Sequence, residues 1–441
     1  MNVILLSVPG LREKDVAVMR RLRDLMAGGE IADLTPSFPC VTCPVQANLT
    51  TGKLPREHGV VANGFYWRDR RSVEMWTAPN DCIQRPQIWE VLSERGRGIT
   101  SAVWFPLHSK QCRADYVCTP APIHNPDGSE SLWCYTRPEA LYGTLRDALG
   151  HFPLRHYWGP LADVRSTAWI VDSAIHAAKT WRPGFFYLYL QHLDYAAQRS
   201  GPDSAAADQA LADLDEQIGR LAEGFGAAYG GELLWIVAGE YAITRVDHVA
   251  YPNRRLREAG WLKVREEDDG EHLDLAASRA WALVDHQFSH VFVADTDPTV
   301  APRVAELFRD EPGIAEVLVG DDLARYGLDH PRSGSVVLVS EPESWQAYYW
   351  WLEDGRAPAF ARTVDIHRKP GYDPVELHWD RASKTIPLDA TLVKGSHGAP
   401  ALDARQKTVL LASQPALFPG PEVADTDVFD IVLGQFGRPG G

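Results

Sequence analysis

The chain alternates between short, almost wholly apolar runs and longer stretches whose apolar residues recur every three or four positions. Residues 2–8, 100–105 (TSAVWF), 184–191 (GFFYLYLQ), 232–238 (ELLWIVA) and 407–412 (KTVLLA) are of the first kind. A strand shows such continuity when helices cover both faces of its sheet, because neither side meets water. Residues 16–26, ending at Gly28-Gly29, and residues 204–221 and 427–435 carry the helical rhythm. Strand and helix in alternation predict an α/β fold: three αβα layers, doubly wound around a mostly parallel sheet. From residue 246 the rhythm changes. Residues 280–294 read as strands, 300–309 as a helix, and 317–320 and 335–340 as short strands. We therefore expect a core built from residues 1–245 and 386–441, interrupted by an inserted α+β lid subdomain over 246–385. The aromatic run at 345–351 (WQAYYWW) reads as helix packing.

Composition narrows the class. With 441 residues, 45% hydrophobic and 23% charged, the chain can bury a full core. Lys and Arg total 44 against 59 Asp and Glu, a net charge of −15. That balance argues against a nucleic-acid binder or an anionic-membrane binder, and leaves room only for a local basic pocket. No run approaches the length of a membrane span, and the N-terminal run lacks the features of a secretory signal, so a cytoplasmic location is expected. The six cysteines (Cys40, Cys43, Cys82, Cys112, Cys118 and Cys134) include one C-x-x-C without a second at zinc-ribbon spacing. They read as reduced, partly buried thiols. Fifteen Trp, 15 Tyr and 15 His accompany only 4 Met, which suits a shaped pocket and raises the question of histidine ligands.

Doubly wound folds bind ligands at the carboxyl ends of their strands, so the residues that follow each run matter most. After the first comes Val8-Pro9-Gly10-Leu11-Arg12. After the second comes Cys40-Val41-Thr42-Cys43-Pro44-Val45-Gln46, with Thr51-Gly52 beyond. The run at 184–191 leads into His192-Leu193-Asp194, then Gln198 and Gly201-Pro202. Residues 232–238 lead into Gly239-Glu240-Tyr241 and Thr244, and Gly395-Ser396-His397-Gly398 precedes the last strand.

That order resembles the nucleotide pyrophosphatase/phosphodiesterase branch of the alkaline phosphatase superfamily over nearly the whole chain. The phrases from Thr51-Gly52 to His58-Gly59-Val60 and Asn63-Gly64 belong to the same pattern. In that branch a Thr nucleophile opens a helix and two zinc sites flank it. The resemblance implies that Thr42 is the nucleophile, that Asp194 and His397 are metal ligands, and that Gln46 and Asn63 face the substrate. This sequence departs from the pattern at three ligand positions, where Pro9, Gln198 and Tyr241 stand, while Glu240 keeps a carboxylate. A bacterial subgroup from small biosynthetic gene clusters is more similar still, sharing Val-Thr-Cys, Glu-Tyr, Asp-His-Gln and Asp-Ile-His-Arg-Lys-Pro-Gly-Tyr-Asp.

With so many ligands replaced, the expected cofactor is one ion of zinc or another divalent metal. Asp194 and His397 would hold it, with further ligands from His286, His290 or His367. His286 and His290 are four apart in a stretch that reads as a strand, where an even offset puts both on one face. Arg368 and Lys369 are expected to neutralise a small anionic substrate. The expected activity is metal-dependent hydrolysis of a phosphodiester or pyrophosphate, or phosphoryl transfer, with Glu240 or Tyr241 as a base for Thr42. Two alternatives remain open: a lyase, isomerase or transferase step using Glu240 and Tyr241 for acid–base work, and a ligand-binding pseudoenzyme. Thr42 as a helix cap, His397 as a turn residue and His286/His290 as packed histidines are the bland counterparts. Oligomeric state is open.

Overall fold

A computed structural model describes residues 2–96, 98–124, 130–231, 233–294, 297–366 and 368–437. Its centre is a nine-stranded sheet. From one edge, the strands are Glu422–Ala424, Glu30–Thr35, Thr408–Ala412, Leu233–Ala238, Asn2–Ser7, Phe185–Tyr189, Ser101–Trp104, Tyr116–Pro120 and Cys134–Arg137. The strands around Asn2–Ser7 are parallel, with Ile4 opposite Phe186 on one side and Trp235 on the other. Thr408–Ala412 runs antiparallel to both of its neighbours, and the edge strand Cys134–Arg137 is antiparallel too. The sheet is therefore mostly parallel, as its continuous apolar strands predict.

Alternate residues of each central strand feed opposite layers. Ile4, Leu6, Phe186, Leu188, Trp235 and Val237 pack under the helices Val164–Trp181 and Ala205–Tyr229. Val3, Leu5, Phe185, Leu234 and Ile236 pack instead toward helices Thr42–Thr51, Ile88–Glu94 and Asp427–Gly434. Ser204 caps the longest helix, its Oγ accepting from the Ala207 N–H at 3.2 Å. Residues 16–26 do not form one helix: Glu13–Val16 and Arg20–Leu25 are separate short turns.

The later stretch contributes a four-stranded antiparallel sheet in the order Ala280–Asp285, Phe288–Val293, Val336–Ser340, Ile314–Val319. The aromatic run at 345–351 is not helical. Ser344–Gln346 is a short strand, and the residues after it form buried irregular backbone. Neighbouring side chains supply its hydrogen bonds: Asn253 Nδ2 donates to the Tyr348 carbonyl at 3.0 Å and Arg254 Nε to that of Trp351 at 2.7 Å. Partners from outside satisfy carbonyls that a helix would have satisfied from within. All six cysteines are buried and unpaired by disulfides. Among the described residues, no helix is long and apolar enough to cross a membrane.

Candidate active site

The strand Leu233–Ala238 ends in Gly239, where a Cβ would lie 1.8 Å from Thr408 Oγ1 and 2.5 Å from the Leu11 carbonyl. Only glycine fits there, and Glu240 follows with φ of 55°. The tight corner sends the next two side chains to different partners on the helix Thr42–Thr51. Glu240 is fully buried; Ser7 Oγ donates to its Oε1, and Gln46 Nε2 donates to the same oxygen at 3.0 Å. Burial pushes its carboxyl up to about 8, and its Oε2 has no protein partner. Tyr241 instead lies against Thr42, Oγ1 to phenol oxygen 2.9 Å, and its hydroxyl donates to Asp194 Oδ2 at 3.3 Å. Thr42 is not a cap, since Val41 holds the extended N-cap position and the Thr42 hydroxyl is spent on Tyr241.

Asp194 sits in the first turn of the helix His192–Ser200, and burial raises its carboxyl to about 7. Its Oδ1 has no partner. His397 donates Nδ1–H to the Cys40 carbonyl at 2.9 Å, which leaves Nε2 unpartnered. The Tyr241 ring stacks on His397 with centroids 3.7 Å apart and planes 7° apart. His286 continues the column, 4.0 Å from His397 and 3.6 Å from Tyr372. Tyr372 donates its hydroxyl to Gln198 Oε1.

Beside this column lies a cavity of about 130 Å³. Thr42, Asp194 and His286 reach it, Trp76, Trp158, Tyr195 and Tyr372 form aromatic walls, and Lys369, Asp373 and Glu376 supply its charges. Lys369 is buried, with Nζ 2.8 Å from Asp373 Oδ2 and 2.7 Å from Glu376 Oε1. Trp158 Nε1 donates to the other Glu376 oxygen at 2.6 Å.

Several sequence expectations change here. Arg368 does not face the cavity: its side chain is 68% exposed and pairs with Asp365. Lys369 does reach it, but two carboxylates already neutralise its charge. Gln46 is held at both ends, by Glu240 and by the Leu107 N–H at 2.8 Å, so it braces the corner and does not line the cavity. Asn63 likewise ties elements together, accepting from the Cys43 N–H at 2.9 Å and donating Nδ2 to Asp285 Oδ1 at 3.0 Å. His286 and His290 do not share a face. The strand ends at Asp285, and His286 occupies the two-residue hairpin turn with φ of 60°. His290 faces elsewhere, with Nε2 on the Val61 carbonyl at 2.9 Å and Nδ1 accepting from the Gly334 N–H at 3.1 Å. Both its nitrogens serve the fold. His367 lies outside the described residues. No motif announces Glu376 or the walls Trp76, Trp158 and Tyr195, whereas Tyr372 and Asp373 close the phrase that begins at Asp365, whose charges pair as Arg368–Asp365 and Lys369–Asp373.

A zinc site of catalytic type uses three protein ligands and an open position. Among the described residues, neither of the two sites of the family pattern has its full set of ligands. Near Thr42, Pro9 has no side-chain donor and Tyr241 carries a phenol whose ionisation burial pushes well above 10. In the other site Asp194 and His397 each keep one free atom, but Gln198 has its carbonyl oxygen taken by Tyr372. Among the described residues, three His, Cys, Asp or Glu ligand atoms come within 4.8 Å of one another only at Glu267, Asp269 and His272, at the surface hairpin Val264–Glu267/Gly270–Leu273.

An αβα sheet that gathers Thr42, Asp194, Glu240 and His397 at its strand ends beneath a second sheet has the layout of the alkaline phosphatase superfamily. Residues 3–373 match the family Type I phosphodiesterase / nucleotide pyrophosphatase, and the chain belongs to that family of hydrolases. Enzymes of the family use divalent metals, typically zinc. Murine ectonucleotide pyrophosphatase / phosphodiesterase 5 (ENPP5, NPP5) is similar in structure, with a TM-score of 0.63 at 14% identity over 99% of this chain and 95% of that one. The same murine protein in an inactive form, in complex with AMP, superposes with a TM-score of 0.62 at 14% identity, covering 98% and 94%. Phosphonoacetate hydrolase from Sinorhizobium meliloti 1021, in complex with phosphonoformate, gives 0.63 at 15% identity, covering 98% and 95%. No curated protein sequence matches.

Proposed function

We propose that the chain hydrolyses a small phosphate ester through a covalent intermediate on Thr42, without routing any step through a metal. The observation that carries this reading is the line from Thr42 Oγ1 through the Tyr241 hydroxyl to Asp194 Oδ2. Tyr241 has one proton and gives it to Asp194, so Thr42 is the donor in its bond to Tyr241. As Thr42 oxygen attacks phosphorus, its proton passes to Tyr241 while Tyr241's proton passes to Asp194. A carboxyl near 7 is suited to that duty, because a general base works best close to the ambient pH. The ester bond to the leaving group breaks, and the released oxygen takes a proton from solvent. Water then cleaves the Thr42 ester, and the relay returns its proton to Thr42.

The charges around the cavity restrict the substrate. Lys369 faces two carboxylates, which favours a singly charged ester with an apolar substituent over a polyphosphate. The same neutralised lysine favours, as a second reading, an acid–base step on an uncharged molecule by the same relay. Bis(p-nitrophenyl) phosphate separates the two. The proposal expects a burst of one p-nitrophenolate per protein, and Thr42→Ala removing the burst and at least about 10²-fold of turnover. Wild-type turnover in Thr42→Ala sinks it, and no release from the wild type favours the second reading.

A further inference from the structure

The Asp285–His286 pair is unexplained by the relay, although His286 lines the same cavity as Thr42. Asp285 is fully buried and clamped from two directions: the Asn63 N–H reaches its Oδ2 at 2.7 Å, and Asn63 Nδ2 reaches its Oδ1 at 3.0 Å. That Oδ1 also accepts from His286 Nδ1 at 2.6 Å. The turn holding His286 is pinned as well, with its carbonyl accepting from the Gln346 N–H at 2.8 Å and the Gln287 N–H bound to the His397 carbonyl at 3.0 Å. Tyr372 covers one side of the imidazole and His397 packs against it at 4.0 Å. With its faces packed and its Nδ1 edge on the carboxylate, the Nε2 edge is what His286 has left for the cavity. His286 thus bonds Asp285 through Nδ1 and lines the cavity that Thr42 also reaches.

A carboxylate that fixes an imidazole by Nδ1–H, with Nε2 turned toward a hydroxyl nucleophile's site, is the arrangement by which acyl-transfer hydrolases hold a general base. His290, by contrast, has both nitrogens bonded to the backbone. His286 also holds φ of 60°, which the two-residue hairpin turn between Asp285 and Phe288 requires and which fixes where its ring enters the cavity.

We propose that His286 is the general base of the second half-reaction, the hydrolysis of the Thr42 ester; this rests on the reading of Thr42 as nucleophile. Nε2 removes a proton from water as the water oxygen bonds to phosphorus. The bond from phosphorus to Thr42 Oγ1 breaks, and Oγ1 recovers its proton from Asp194 through Tyr241. His286 then releases its proton to solvent, balancing the one taken up by the first leaving group.

The proposal assigns His286 to one half-reaction only, so it is tested by separating the two. His286→Gly suits the left-handed backbone at this position and leaves a space for imidazole. With bis(p-nitrophenyl) phosphate, the variant is expected to keep the burst while steady-state turnover falls at least about 10²-fold. Thr42 carrying the p-nitrophenyl phosphate group then accumulates and is detected by mass spectrometry of the Thr42 peptide. Added imidazole restores turnover in proportion to its free-base concentration, a rescue that a merely structural defect would not show. His286→Asn, also tolerant of positive φ, is expected to stall in the same way without rescue. A burst in the wild type with undiminished turnover in His286→Gly overturns the proposal alone. So does loss of the burst in that variant, which moves His286 out of the second step. A wild type with no burst overturns the Thr42 reading and this proposal with it.

Discussion

Tyr241→Phe tests the relay with little disturbance to the site. The substitution removes one oxygen and keeps the ring that stacks on His397 at 3.7 Å, so no sizeable cavity opens. What disappears is the link across 2.9 Å to Thr42 and 3.3 Å to Asp194. Positioned proton transfer contributes about 10²–10⁴-fold, so the burst rate constant should fall by that factor, roughly 3–5 kcal/mol of barrier. Folding should lose less, ~1–3 kcal/mol, for leaving Thr42 and Asp194 each one hydrogen bond short in a buried setting.

The pH dependence gives a second readout. Burial raises Asp194 to about 7, and the hydrogen bond from Tyr241 is among the influences that hold it down. The carboxylate is the active base, so the burst rate rises with pH through that value. Removing the phenol takes away a stabiliser of the carboxylate, and the rising limb moves to higher pH. Stopped-flow bursts across the pH range measure both effects. A variant with wild-type burst rate and an unmoved limb would refute the relay, whatever its steady-state rate.

Three further outcomes follow from the same contacts. Elemental analysis of protein purified without added metal should find less than one equivalent of zinc or other transition metal, and EDTA should leave the burst intact; stoichiometric metal needed for turnover reverses that reading. Lys369→Met should cost roughly 3–5 kcal/mol in urea unfolding, because Asp373 and Glu376 lose the charge between them; an unchanged unfolding midpoint refutes the buried triad. Glu240 rises from 4.5 to about 8 on folding, so its contribution is complete below about 4.5 and is lost as pH climbs toward 8. Glu240→Gln should therefore gain stability relative to wild type between about pH 5 and about pH 8. Parallel curves would contradict it.

How far the sequence foretells this site depends on whether a residue's role is set along the chain or across it. The parallel sheet is legible because strands buried on both faces, such as Phe185–Tyr189, leave an uninterrupted apolar run. Thr42, Asp194, Glu240 and His397 are legible because each follows directly from a strand end or a short turn. His286 is misread by strand periodicity because the hairpin begins at that residue, and a turn abolishes the alternation that would pair it with His290. Arg368 and Lys369 look alike in sequence, yet one points to solvent and the other is bound four and seven residues along its own segment, to Asp373 and Glu376. The brace formed by Gln46 and the clamp formed by Asn63 depend on partners 194 and 222 residues away, which no local pattern announces.

The three replaced ligand positions also bear on whether the site is degenerate. A metal site that had merely decayed would leave its remaining polar groups without organised partners. Here the replacements carry the organisation: Tyr241 joins Thr42 to Asp194, and Gln198 anchors Tyr372, whose ring holds His286. Buried atoms left without protein partners include Asp194 Oδ1, Gln198 Nε2, Glu240 Oε2 and His397 Nε2, together with both amide atoms of the cavity-lining Gln191. Each such buried atom costs about 1–3 kcal/mol if nothing meets it, so these residues mark a polar site built to meet water or a ligand. A protein that only bound a ligand would need the aromatic walls of the cavity. It would have no use for a hydroxyl, a phenol and a carboxyl near 7 held in line at the cavity's edge, and that line is what favours catalysis over binding alone.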